Sequence, residues 1–181
     1  MEKYKNKYRI ASSRAQWWDY SWNAAYFITI CTQNRAHYFG EIVQNKMQLS
    51  NIGILADVFW HESKNHAKDI ELDAFVVMPN HIHGILILNG TENEIEMFGV
   101  KNDTTIGKQR YQNQGKNSVS SIIGSYKAAV TKHANRLKLE FGWQTRFHDH
   151  IIRNEAEFNR IAHYIERNVA QWNEDKFFKT M

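Results

Sequence analysis

The sequence contains little cysteine and no long hydrophobic run. One of its 181 residues is a cysteine, Cys31, so an internal disulfide and a cysteine-based zinc site are both excluded. No segment approaches the roughly 20 consecutive apolar residues that cross a bilayer, and the first residues lack the apolar stretch of a signal peptide. We therefore expect a cytoplasmic protein with no membrane partner.

The excess of positive over negative charge is also small. Lys and Arg number 23 against 19 Asp and Glu, and the sequence pI is about 9.1. Such an excess is compatible with nucleic-acid binding but does not establish it. Hydrophobic residues make up 43% of the chain and charged residues 23%, as in an ordinary globular protein. At this length we expect a single domain over residues 1–181.

Two segments differ from the rest in composition. Residues 1–23 form a basic, aromatic leader, which is equally compatible with a segment that lies along a nucleic-acid strand and with a tail that packs on the core. Residues 89–117 scatter glycine among Asn, Thr, Gln and Lys and predict a long mobile connection, too short for a second domain. The predicted core spans residues 24–172.

Apolar periodicity predicts alternating strands and helices in this core. Strands are expected at residues 25–32, 38–43, 47–49, 70–77, 81–88 and 143–152. Three helices are expected after capping residues: Ser50 to about residue 65, Ser118 or Ser120 to about 138, and Asn154 to about 171.

Two histidines follow the turn at Pro79 and Asn80. Residues two apart on a strand share a face, so His81 and His83 should point the same way. Two imidazoles can hold one divalent cation if a third ligand arrives from elsewhere. The pattern is short and is equally compatible with two hydrogen-bonded histidines at a strand end. A second pair, His148 and His150, is its main rival.

Two polar residues of the last predicted helix offer further groups. Tyr164 and Asn168 are four residues apart and therefore lie on the same helix face. A tyrosine at such a position is more often a packing residue, whereas an asparagine inside a helix is unfavourable and calls for a reason. If this face meets the histidine strand, Asn168 offers a third metal ligand and Tyr164 a nucleophile for a phosphodiester.

These motifs resemble those of a known family. The sequence PNHIH at residues 79–83 resembles the His-hydrophobic-His (HUH) motif of the single-tyrosine transposases, and YIERN at residues 164–168 resembles their catalytic tyrosine helix. Other segments in matching order resemble the REP-associated tyrosine transposase branch, and they lie at residues 19–21, 26–32, 39–40, 122–136, 143–144 and 148–153. Val169 stands where the family commonly has proline, which favours a longer last helix.

The resemblance implies an α/β (α+β) fold, with a ferredoxin-like or RRM-like antiparallel sheet, helices on one face and a C-terminal helix that carries the tyrosine. It implies a Mg²⁺- or Mn²⁺-dependent endonuclease and strand transferase that acts on hairpin-containing single-stranded DNA in transposition. By this resemblance His81, His83 and Asn168 bind the metal, and Tyr164 forms a 5′-phosphotyrosine intermediate. The protein would then act at the bacterial nucleoid, as a monomer or a homodimer.

Basic residues and the second histidine pair are the predicted DNA contacts, although a basic helix face is usually only solvated. These contacts are Arg14, Lys127, Lys132, Arg136, Arg146, His148, His150 and Arg153. Two other functions are weighed against the enzyme: a catalytically silent hairpin DNA-binding protein of host origin, and a metal-dependent hydrolase of small phosphate esters. The complete set of histidines, tyrosine and asparagine favours the transposase.

Overall fold

The computed structural model describes residues 18–89 and 118–172. The strands are β1 (Ala24–Cys31), β2 (Gly40–Val43), β3 (Lys46–Leu49), β4 (Ile70–Met78), β5 (His81–Leu88) and β6 (His148–Ile152). The helices are α1 (Asn51–His66), α2 (Val119–Arg136) and α3 (Glu155–Arg167). Most of the leader, including Arg14, and most of the predicted mobile connection lie outside the described residues, so the predictions for them stay predictions.

A four-stranded antiparallel sheet has the order β4-β5-β1-β6, and β2 pairs with β3 in a separate hairpin. The interior strand β1 is rich in aromatic and β-branched residues, which suit a pleated surface. In its pairing with β5, Ala24 lies opposite Leu88 and Cys31 lies opposite His81. The turn at Pro79 and Asn80 joins β4 to β5, as predicted.

Side-chain caps start all three of these helices. The Ser50 hydroxyl accepts the backbone N–H of Gly53 at 3.1 Å. Ser118 forms a reciprocal capping box with Ser121, and the Asn154 amide oxygen accepts the Glu157 N–H at 2.8 Å. Each cap satisfies a donor that the first helical turn leaves open. Within residues 18–89 and 118–172, no helix has the length and apolar character needed to span a membrane.

The helices cover opposite faces of the sheet. α1 and α2 bury one face in a large apolar core that includes Trp60, Ile82 and Leu86. Gly84 permits this packing, because a Cβ there would overlap the Trp60 ring. α3 covers the other face through a smaller cluster of isoleucines: Ile85, Ile152, Ile161 and Ile165. The predicted fold, with a separate tyrosine-bearing helix, is confirmed.

Strand β6 is shorter than predicted. It begins at His148, whereas the sequence pattern places its start near Trp143, which makes only an isolated bridge to Thr32. The ammonium of Lys127 donates to the carbonyls of Gln144 at 2.6 Å and Thr145 at 3.2 Å. These carbonyls bond to a helix side chain instead of a neighbouring strand.

The last helix is also shorter than predicted. α3 ends at Arg167, and Asn168 caps it by donating its N–H to the Ile165 carbonyl at 3.2 Å. The chain continues through turns to Trp172. The regular helix therefore ends four residues before the predicted residue 171, although the Gln171 N–H still donates to the Arg167 carbonyl at 3.2 Å in the turns that follow.

Candidate active site

The first histidine pair lies at the start of β5, on the face that α3 covers. His81 is 0% exposed and His83 is 1% exposed, and the centroids of their rings are 4.5 Å apart. Because β5 lies between β4 and β1, neither imidazole is at an open edge of the sheet. The prediction that the two rings share one face is confirmed.

Helix α3 brings Tyr164 to this pair. Ile161 and Ile165 fix the helix on the sheet by packing against the isoleucines of the smaller cluster. The Tyr164 hydroxyl lies 3.3 Å from Nε2 of His83. The ring of Phe27 contacts both side chains, with centroid distances of 5.1 Å to His83 and 6.1 Å to Tyr164. Tyr164 is still 38% exposed, so its hydroxyl is both held and accessible.

Asn168 is buried at the end of α3 and is 2% exposed. Tyr164 lies four residues before it and contacts His83, and Trp172 lies four residues after it and packs on His81 at 6.0 Å. Asn168 is therefore on the part of the chain that faces the pair. Its Oδ1 has no hydrogen-bond partner within the described residues. A buried amide oxygen left in this way costs about 1–3 kcal/mol and needs an explanation.

This donor set fits a divalent metal ion. An amide oxygen suits Mg²⁺ or Mn²⁺, and an imidazole nitrogen suits divalent transition metals. No group of three or more His, Cys, Asp or Glu side chains within the described ranges could hold a metal. A third protein ligand beside His81 and His83 would therefore have to be of another type, and the buried Oδ1 of Asn168 is the predicted candidate. Their roles as ligands stay predictions.

The second histidine pair lies on the same face but at the edge of the sheet. His148 is opposite Thr29 and His150 is opposite Phe27 in the pairing of β6 with β1. Residues directly opposite in an antiparallel pair share a face, so this pair is separated from the first by one strand. Both side chains are exposed, and Nε2 of His150 lies 2.9 Å from a Glu157 oxygen.

Glu157 joins this edge to the start of α3. The backbone N–H of Arg153 donates to its carboxylate at 2.9 Å, and this bond is the main reason that its pKa is lowered from 4.5. The contact with His150 lowers the same pKa further. The carboxylate is therefore favoured in its charged form, and it connects β6 to the tyrosine helix.

The predicted basic contacts lie on different surfaces. Arg146 and Arg153 are exposed beside β6, near the second histidine pair. Lys132 and Arg136 are exposed on α2, which covers the opposite face of the sheet. The Lys127 ammonium holds two backbone carbonyls, and burial lowers its pKa. The observed contacts of Lys127 are therefore structural, and the roles of the other four cations as DNA contacts stay predictions.

Four residues of the site were not predicted from the sequence. Oδ1 of Asn80 lies 2.9 Å from Nδ1 of His81, and Oγ1 of Thr29 lies 2.9 Å from Nδ1 of His83. Phe27 and Trp172 pack on the rings. The sequence could have indicated Asn80, since it directly precedes His81. The other three are brought in by strand register and helix packing.

Comparison with known proteins identifies relatives and a shared fold. An uncharacterized protein of Haemophilus influenzae is 32% identical over 171 residues, which cover 92% of each chain. A solved REP-associated tyrosine transposase, bound to a REP hairpin, matches with a TM-score of 0.54 and 17% identity over 92% of this chain and 77% of that one. A candidate transposase from Deinococcus radiodurans reaches a TM-score of only 0.40 at 17% identity, over 86% of this chain and 97% of that one. No family model matches.

Proposed function

Because the chain belongs to one family with the Haemophilus influenzae protein and has the fold of a REP-associated tyrosine transposase, we propose that it cleaves and rejoins single-stranded DNA through Tyr164. The substrate is DNA that carries a hairpin, in line with the hairpin bound by the solved transposase. The reaction serves DNA transposition or recombination.

The observation that carries this proposal is the contact between Tyr164 and His83. Its hydroxyl is 3.3 Å from the imidazole nitrogen, and the ring is 38% exposed at the surface. A tyrosine that is 38% exposed can satisfy its hydroxyl with water, so its placement at a buried imidazole of the histidine motif supports a role beyond packing. A nucleophile needs both access to its substrate and a fixed position beside the groups that bind the phosphate.

The metal predicted from the motifs belongs to the same proposal. His81, His83 and Asn168 would hold Mg²⁺ or Mn²⁺. When bound there, the ion would draw electron density from the non-bridging oxygens of the scissile phosphate and stabilise the charge of the transition state. The buried Oδ1 of Asn168 supports this assignment, since a cation would satisfy it.

The covalent step is a displacement at phosphorus. Oη of Tyr164 forms a bond to phosphorus, the bond to the 3′ oxygen breaks, and a 5′-phosphotyrosine remains. The hydroxyl proton leaves to solvent, which the exposed ring permits, and the departing 3′ oxygen takes up a proton from water. Attack of a 3′ hydroxyl on the phosphotyrosine reverses these changes and joins two strands.

The exposed edge beside the site is the proposed DNA path. His148, His150, Arg146 and Arg153 are exposed along β6 and its flanks, on or near the face that carries Tyr164. Cationic and hydrogen-bonding side chains at such an edge can bind the phosphates of a strand that enters the site. Lys132 and Arg136 would meet only DNA that passes around the sheet.

The test is formation of a covalent adduct. Purified protein is incubated with end-labelled hairpin DNA from its own locus and Mn²⁺, and the products are separated on a denaturing gel. We expect an adduct with the wild type and none with Tyr164→Phe or with a chelator. Tyr38→Phe is the matched control, because the Tyr38 ring packs on Phe141 of the large core, and this variant should leave the adduct unchanged.

The other outcomes separate the competing functions. Tight binding of hairpins without an adduct would support the silent DNA-binding protein. Hydrolysis of small phosphate esters that persists in Tyr164→Phe would support the phosphoesterase. An adduct that survives Tyr164→Phe would mean that another residue is the nucleophile.

A further inference from the structure

Each imidazole of the first pair is held at Nδ1 by a buried polar side chain. Asn80 provides its amide oxygen to His81, and Thr29 provides its hydroxyl to His83, both at 2.9 Å. Asn80 is 0% exposed and Thr29 is 5% exposed. The two contacts come from separate elements, the β4-β5 turn and strand β1, yet they engage the same atom of each ring.

The chemistry of these partners sets which nitrogen carries a proton. A carbonyl oxygen only accepts, so His81 must donate its Nδ1–H to Asn80, which leaves the lone pair on Nε2. For His83, Thr29 occupies Nδ1 while the Tyr164 hydroxyl lies at Nε2. A flip of either ring would break a buried hydrogen bond.

The two partners are themselves fixed by the sheet. The backbone carbonyl of Asn80 accepts the N–H of Thr32 at 3.0 Å, which ties the turn to the end of β1. Thr29 lies directly opposite His83 in the strand register. The backbone positions that carry both side chains are thus set by the turn and the β1-β5 register.

We propose that Asn80 and Thr29 are positioning residues that direct Nε2 of His81 and His83 toward one point beside Tyr164 and Asn168. The inference rests on the proposed function, because it assigns these nitrogens to the metal. Residues that hold the second nitrogen of a ligating histidine set its orientation and its strength as a ligand.

The experiment measures Mn²⁺ affinity of the full chain without DNA, by electron paramagnetic resonance of the free ion. Thr29→Val keeps the β-branched shape but removes the hydroxyl, and Asn80→Ala removes the amide. Both should bind Mn²⁺ about 10–100-fold more weakly, the range found when such partners are lost. Thr29→Ser keeps the hydroxyl and should bind close to wild type.

Two further measurements separate positioning from loss of structure. Thr131→Val is the matched control, because its hydroxyl donates to the Lys127 carbonyl within α2, and it should bind Mn²⁺ like wild type. Nitrogen-15 chemical shifts should show His81 protonated at Nδ1 in wild type and a mixture of tautomers in Asn80→Ala. Thermal unfolding confirms that each variant is folded.

The results also distinguish this inference from the proposed function. If Thr29→Val and Asn80→Ala bind Mn²⁺ as wild type does while His83→Ala does not, the positioning role is overturned and the transposase proposal stands. If the variants lose affinity as expected but wild type forms no DNA adduct, positioning is supported and the transposase proposal fails.

Discussion

The two His-x-His pairs have the same spacing and lie on the same face of the sheet, yet they differ in burial and in the position of their strand within the sheet. His81 and His83 lie on an interior strand and are buried. His148 and His150 lie on the edge strand, and the side chain of His150 is 49% exposed. The order of the strands, not the spacing of the residues, separates a fixed pair from a solvated one.

The difference follows from what burial requires. A buried imidazole needs hydrogen-bond partners, so the interior pair has acquired Asn80 and Thr29 and with them a fixed orientation. An exposed imidazole can bond to water, and within the described residues His150 is held only by a surface carboxylate, that of Glu157. The interior pair is suited to hold an ion at a fixed point, and the edge pair is suited to contact a flexible strand.

The largest effect should appear when one histidine of each pair is replaced by alanine and the two variants are compared. His83→Ala should lower both Mn²⁺ affinity and adduct formation by more than about 100-fold, the upper range for a residue that only orients a ligand. His150→Ala should retain Mn²⁺ affinity and change only the concentration of hairpin DNA needed for half-maximal adduct. Equal loss of Mn²⁺ binding in the two variants would remove the distinction between the pairs.

The residues beside the histidines should differ in their effect on stability. Ile82 separates the first pair and is 0% exposed in the large core, so Ile82→Ala should lower the free energy of unfolding by about 2–5 kcal/mol. Ile151, next to His150, is half-buried, so Ile151→Ala should cost roughly half as much. Urea unfolding followed by circular dichroism measures both. Similar losses would show that the edge strand is packed as firmly as the interior.

The smallest effect concerns the Glu157 carboxylate, which contacts His150 of the edge pair. The pKa of Glu157 is lowered from 4.5, so its stabilising contribution is present above that value and is lost as pH falls through the lower folded-state pKa. The difference in unfolding free energy between wild type and Glu157→Gln should therefore shrink below pH 4.5. Urea titrations from pH 3 to pH 7 test this, and a difference that does not change with pH would exclude the Glu157 charge as its source.

Much of the fold could be predicted because local chemistry dictates it. The caps Ser50, Ser118 and Asn154 fix the starts of helices, and the apolar alternation fixes β1 and β5. The exact limits of some strands and helices were less predictable. Residues 143–147 have the composition of a strand, but the Lys127 ammonium binds two of their carbonyls. Such a contact between distant segments leaves no periodic signal in the sequence.

The candidate site was predictable in its principal residues but not in their supports. His81, His83, Tyr164 and Asn168 follow from a short motif and a helical spacing. Thr29 is one polar residue in an apolar strand, and only the register of β1 against β5 shows that it faces His83. In the same way, the different environments of the two pairs depend on strand order, which composition does not encode.

The site is assembled from distant parts of the chain. The residues of the Thr29–His83 contact are 54 positions apart, and those of the Tyr164–His83 contact are 81 apart. During translation both histidines leave the ribosome well before the tyrosine. Under the proposed function, a nascent or truncated chain that stops before α3 would carry both histidines but lack the tyrosine that attacks DNA. The proposed strand cleavage would then have to wait until synthesis has passed Asn168 and α3 has folded onto the sheet.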